Sequence, residues 1–299
     1  MGDHLPMSVV TALTPDRLEL GEGSRWIGDR LILVDIPAGR LLSAPAPTGT
    51  PAESGDPLTE LAHVPDPLAT VAEITGRPGA WLAGTGTGFA VIGADGVRPI
   101  ASPEPVTDRP WRMNDGVADR AGRFWAGSMA CDQTARCGAL YRLDPDGTVR
   151  TVLRDLTIAN GPAFSPDGRT MYLSDTPLGH VDQFDVDPAT GELSNRRPFI
   201  RLESEDGAPD GLTVDTEGHV WVALFGGGAV HRYRPDGELA RRIPVPARQP
   251  TSVCLVGTNL VVTSGRGGLD QPNPEDGAVM ITEAGVAGFP ALPVRLDLP

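Results

Sequence analysis

The chain has 299 residues, of which 37 are Gly and 30 are Pro, and carries a net charge of −14. That length suits two average domains or one large all-β domain, and 40 % hydrophobic residues suffice for a buried core, which excludes a disordered chain. So acidic a surface argues against nucleic acid and anionic membrane as partners. All 25 cationic residues are Arg, which also excludes Lys-based Schiff-base and phosphate-loop chemistry.

The opening MGDHLPMSVV shows neither a basic region nor a long apolar run, so no signal peptide is expected. No apolar stretch approaches the roughly 18 residues of a membrane span. Three cysteines, Cys131, Cys137 and Cys254, always leave one over and cannot make a disulfide framework. A reduced, cytoplasmic protein is expected.

Along the chain, Gly or Pro interrupts every few residues. Between these breaks lie LILVD (Leu31 to Asp35), FAVIG (Phe89 to Gly93), MYLSD (Met171 to Asp175) and VWVAL (Val220 to Leu224), each of strand length. The longest run free of Gly and Pro, Thr148 to Asn160, opens on the alternating, β-branched TVRTVL and reads as strand.

An internal repeat organises these runs. DRAGRFWAGSM (Asp119 to Met129), SPDGRTMYLSD (Ser165 to Asp175) and DTEGHVWVALF (Asp215 to Phe225) each place a turn Gly shortly before an aromatic residue in a strand. Weaker copies precede and follow. Taking Leu33, Leu82, Trp125, Tyr172, Trp221 and Val261 as equivalent gives steps of 49, 43, 47, 49 and 40 residues, about one four-stranded propeller blade each. The expected fold is all-β: a single six-bladed β-propeller spanning residues 1–299 and closed by strands from both termini. SVVTAL (Ser8 to Leu13) and PVRLDL (Pro293 to Leu298) are the closing candidates. A β-sandwich or two β-domains would not require a repeat near 47 residues.

In a propeller, residues just before the innermost strands converge on the axis. Glu22 in LGEGSRW, Asn114 in WRMNDGV, Asn160 in IANGPAF and Asp210 in APDGLTV hold such positions. Asn-Gly and Asp-Gly are also ordinary turn dipeptides, as PDG at Asp146, Asp167 and Asp236 shows, but those copies fall between strands within a blade. Carboxylate and carboxamide oxygens meeting without His or Cys make a hard donor set, suited to Ca²⁺, Mg²⁺ or Mn²⁺ and open to Zn²⁺. The five His show no HxH or HExxH spacing, no G-x-S-x-G elbow occurs, and GTGTGF lacks the third Gly of a dinucleotide fingerprint.

Together LGEGSRW, RMNDGVADRAGRFWAGSM, NGPAFSPDGRTMYLSDT, FDVDPATGELSNRRPF and PDGLTVDTEGHVWVALFGGGAVHRY resemble the gluconolactonase/regucalcin (senescence marker protein) family, most strongly from about residue 110 to 240. The resemblance implies a six-bladed propeller that holds one divalent cation (Ca, Zn, Mn or Mg) and hydrolyses sugar lactones or related cyclic esters. It carries the metal-ligand role to Glu22, Asn160 and Asp210, and the substrate-binding role to Arg112, Asn114 and Asp132. Asp210 is then the general base for the attacking water, and Arg112 a charged fork for substrate oxygens. The sequence departs from the family's pattern at GEGSRW, at Pro162 and in the short segment CDQTARCG, which would help form a lid. Two other readings are an enzyme of the same scaffold acting on a non-sugar ester or natural product, and a non-catalytic cation-binding propeller.

Overall fold

The computed structural model describes residues 9–51, 55–104 and 109–298. These form six four-stranded antiparallel sheets, the blades of a β-propeller. A short strand β1 (Thr11–Ala12) precedes them. Blade 1 is β2 (Gly21–Ile27), β3 (Arg30–Asp35), β4 (Arg40–Pro45) and β5 (Thr59–His63); blade 2 is β6 (Leu68–Glu73), β7 (Trp81–Thr85), β8 (Gly88–Gly93) and β9 (Gly96–Ala101). Blade 3 is β10 (Trp111–Ala118), β11 (Phe124–Ala130), β12 (Gly138–Leu143) and β13 (Val149–Leu156). Blade 4 is β14 (Ala159–Phe164), β15 (Thr170–Asp175), β16 (His180–Val186) and β17 (Leu193–Arg201). Blade 5 is β18 (Ala208–Val214), β19 (Val220–Phe225), β20 (Ala229–Tyr233) and β21 (Leu239–Pro244). Blade 6 takes β22 (Pro250–Val256), β23 (Asn259–Ser264) and β24 (Met280–Glu283) from the late chain and β1 from the early chain.

The described residues contain no α-helix, only single 3₁₀ turns at Thr176–Leu178 and Ser204–Asp206. The six positions aligned in the repeat, Leu33 to Val261, all lie on the second strand of their blade. The run from Thr148 to Asn160 is β13 and the start of β14.

The ring closes through β1, where Thr11 faces Ile281 and Ala12 faces Met280. Ser8 of the expected closing strand lies outside the described residues. PVRLDL forms no blade strand. It straps the ring instead: Val294 N–H donates to Glu73 O at 2.9 Å, Arg295 N–H to Gly122 O at 2.9 Å and Asp297 N–H to Pro145 O at 2.8 Å. Pro293 at its head has no N–H for a ladder, and the N–H groups that follow go to blades 2 and 3 instead.

The repeat motif has a physical core. In blade 3, Asp119 Oδ1 accepts the N–H groups of Ala121 and Arg123 at 2.9 and 3.1 Å, and its Oδ2 accepts Trp125 Nε1–H at 2.9 Å. Blade 5 repeats this: Asp215 Oδ1 accepts from Glu217 and His219, both at 2.9 Å, and Oδ2 from Trp221 Nε1 at 2.9 Å. One carboxylate thus ties the turn to the ring it must bury. Gly122 and Gly218 sit in these turns at φ 79° and 80°, where a side chain would strain the backbone. Both indoles are wholly buried, and Arg142 and Arg232 lie over them at 5.5 Å. Apolar packing runs between neighbouring blades, as in the group joining Tyr172, Phe199, Leu212 and Val222 of blades 4 and 5. The axis is left to polar groups.

Candidate functional site

The innermost strand of every blade breaks register: between Glu22 and Arg25, Leu68 and Thr70, Met113 and Gly116, Asn160 and Ala163, Pro209 and Leu212, and Pro250 and Val253. A bulge re-aims side chains and takes backbone groups out of the ladder. Neighbouring blades satisfy several of those groups. Thr70 donates its hydroxyl to Gly116 O at 2.9 Å, Ser174 to Asp210 O at 3.1 Å, and Thr251 to Gly21 O. Glu22, Asn114, Asn160 and Asp210 therefore lie within the innermost strands, at or beside their bulges, and not just ahead of them as expected. All four are 4–6 % exposed.

A directed hydrogen-bond chain joins two blades. Arg112 Nη1 donates to Asn114 Oδ1 at 2.6 Å and to Met113 O at 3.0 Å. Asn114 Nδ2 donates to Ala159 O at 2.9 Å and to Asn160 Oδ1 at 2.7 Å. Asn160 Nδ2 donates to Thr176 Oγ1 at 2.8 Å. Among the described residues no carboxylate forms an ion pair with Arg112. Met113, between Arg112 and Asn114, is fully buried in the packing of blades 1 to 3, as side-chain alternation requires.

Glu22 and Asp210 are buried carboxyls that form no ion pair among the described residues. Glu22 Oε2 accepts the N–H of Gly23 at 2.8 Å. Burial, followed by the charge of Asp115, pushes the Glu22 carboxyl up to about 8 against the pull of that N–H and of Arg25 and Arg112. Asp210 is held well above the ordinary carboxylate range by burial and then by the charges of Glu22 and Asp115. Burial lowers the Arg112 guanidinium, with Cys131, Glu22 and Asp210 pulling the other way.

One participant, Asp115, escapes the sequence reading. Asp115 is 2 % exposed and is raised by burial, while Arg25 counters it. Its Oδ1 accepts Arg25 Nη2–H at 2.9 Å and Gly116 N–H at 2.7 Å. Its place directly after Asn114 was the available signal. Asp132 is not joined to the chain of amides: its half-exposed carboxyl lies 3.4 Å from Arg109 Nε and accepts Thr134 N–H at 3.0 Å. Cys131 and Cys137 are both free thiols.

Among the described residues no three His, Cys, Asp or Glu side chains gather as a metal group. The donor set is mixed, comprising the carboxyls of Glu22 and Asp210 and the carboxamide of Asn160. Its chemistry fits a hard divalent cation, because two buried carboxyls with no ion-pair partner among the described residues gain most from one. Around the other end of the innermost strands, a cavity of about 400 Å³ is lined by Trp26, Val117, Phe164, Leu212 and Phe289 and holds no carboxyl.

The fold and this axial cluster define a six-bladed propeller with a buried, acidic polar site. The model of the SMP-30/Gluconolactonase/LRE-like region matches residues 20–266. The chain is similar to pentonolactonase XacC of Haloferax volcanii, 36 % identical over 87 % of this chain and 86 % of that protein. It is similar also to L-arabinolactonase of Azospirillum brasilense, 36 % identical over 95 % of each. The solved structure of a calcium-binding protein, regucalcin, from Agrobacterium tumefaciens superposes with a TM-score of 0.84 at 28 % identity, over 95 % of this chain and 96 % of that one. This chain belongs to the SMP-30/gluconolactonase/LRE-like family.

Proposed function

We propose that the protein is a lactonase that opens sugar lactones by hydrolysis, with one divalent cation held by Glu22, Asn160 and Asp210. The observation that carries this reading is the pair of buried carboxyls, without an ion-pair partner among the described residues, beside an Arg–Asn–Asn chain in a protein whose relatives include a pentonolactonase and an arabinolactonase. Named a calcium-binding protein, the solved regucalcin supports the cation.

When bound, the cation supplies positive charge that favours ionised Glu22 and Asp210 and polarises the lactone carbonyl. Asp210, once ionised, accepts a proton from the water whose oxygen bonds to the carbonyl carbon. The ring C–O bond then breaks, and the proton passes to the departing ring oxygen, giving the open hydroxy acid. Arg112 spends Nη1 on Met113 and Asn114, which leaves Nε and Nη2 as donors for substrate oxygens. The Asn114 amide NH₂ is fully committed to Ala159 and Asn160 and its Oδ1 already accepts from Arg112, so only the second acceptor position of Oδ1 remains for a substrate hydroxyl. Asp132 lies on the loop between β11 and β12 and meets the outer part of the sugar.

The test is hydrolysis of a panel of pentono- and hexonolactones beside simple aryl esters and a phosphotriester. Preferential opening of the sugar lactones is expected. Turnover of the esters or the phosphotriester alone would favour a non-sugar substrate on the same scaffold.

A further inference from the structure

A carboxamide binds a hard cation through its oxygen alone, so the direction in which Asn160 presents its amide decides whether it is a ligand. That direction is dictated from both ends. A guanidinium only donates, so Asn114 must turn Oδ1 to Arg112 Nη1 and Nδ2 to Ala159 O and Asn160 Oδ1. Asn160 must then turn Nδ2 away, and there it meets the hydroxyl of Thr176 at 2.8 Å. Thr176 is itself pinned, its N–H donating to Ile158 O at 3.2 Å.

We infer that Thr176 is a positioning residue that locks the Asn160 carboxamide with Oδ1 on the cation side. This rests on Asn160 being a cation ligand. Threonine performs the task as an acceptor, because the Asn160 N–H it receives has no other hydrogen-bond partner among the described residues. Without it a buried NH₂ is left unsatisfied and the amide gains a competing, flipped orientation that offers hydrogen atoms to the cation. Partners that orient metal ligands are worth about 10- to 100-fold in metal affinity.

Calorimetric titration of CaCl₂ into the chelator-treated full chain provides the test, with MgCl₂, MnCl₂ and ZnCl₂ as further probes. Thr176→Val is expected to weaken binding by about 10- to 100-fold and Thr176→Ser to restore it. In an Asn160→Ala background, Thr176→Val is expected to change affinity by less than about 2-fold, since its effect passes through the amide. Thr176→Ala replaces the valine variant should that one fail to fold. Wild-type affinity in the Val or Ala variant, or the same loss with and without Asn160, overturns the inference alone. A wild-type chain that takes up none of the four cations overturns both the inference and the reading beneath it.

Discussion

Asn114 of blade 3 and Asn160 of blade 4 meet side chain to side chain, with Nδ2 of the first donating to Oδ1 of the second at 2.7 Å. In the proposed reading one amide serves the substrate side with Arg112 and the other the cation side with Glu22 and Asp210, and this bond joins them across a blade seam. Its consequence is a division of labour that separate substitutions expose.

Asp210→Ala removes an anionic ligand and the proposed base together, and turnover of a sugar lactone is expected to fall by about 10²- to 10⁴-fold. Asn160→Ala removes a neutral ligand only, so excess cation is expected to restore part of the rate. Steady-state kinetics at rising cation concentration separates the two. Equal rescue of both variants would remove Asp210 from the proton transfer.

Arg112→Ala removes none of the three proposed cation ligands and takes away donors to substrate hydroxyls. A polyhydroxylated lactone should lose about ten- to a hundred-fold in kcat/KM, the worth of one charge-assisted pair, while γ-butyrolactone loses far less. Equal losses on both substrates, together with a lower metal content, would assign Arg112 a structural role.

The pH dependence follows from the raised carboxyls. An acid whose pKa is higher in the fold than in the unfolded chain ionises first in the unfolded chain, so its ionisation works against folding. For Glu22 that window runs from its ordinary 4.5 to about 8, and Asp115 and Asp210 shift in the same direction. The Tm of the cation-free protein is therefore expected to fall as pH rises through this window. A bound cation displaces those protons, so the Tm increase produced by CaCl₂ should widen with pH. Scanning calorimetry with and without CaCl₂ measures both; a cation-induced shift that narrows with pH would contradict the assignment.

Trp221→Ala empties a fully buried site between strands and leaves Asp215 without its indole partner. About 3–5 kcal/mol of stability should be lost, as denaturant unfolding reads it. Asp215→Asn keeps the volume but spoils the acceptor pair, and a smaller loss is expected.

Much of this architecture was legible because one device is reused. The turn Asp, turn Gly and buried indole of Asp119–Trp125 recur at Asp215–Trp221, and such local chemistry writes itself into sequence. The axial residues were legible for a related reason: bulges favour Gly, so Glu22, Asn160 and Asp210 each precede one. What the sequence hid depends on distant pairing. Arg25 and Asp115 are 90 residues apart in the chain, and only ring closure makes them an ion pair at 2.9 Å. The closing strand was half legible, since the alternation of PVRLDL does not reveal that its backbone hydrogen bonds go to Glu73, Gly122 and Pro145. Asp132 shows the same limit, because the sequence did not show that Arg109 would lie beside it.

In the proposed reading two buried carboxyls and one carboxamide hold a cation on which lactone opening depends. The most direct measurement is the aldonolactone turnover of one preparation, with its cation content determined, before chelation, after chelation and after reloading. One divalent ion per chain, turnover abolished on its removal and recovered on its return, is the predicted result. Full turnover from protein stripped of every divalent ion would contradict it.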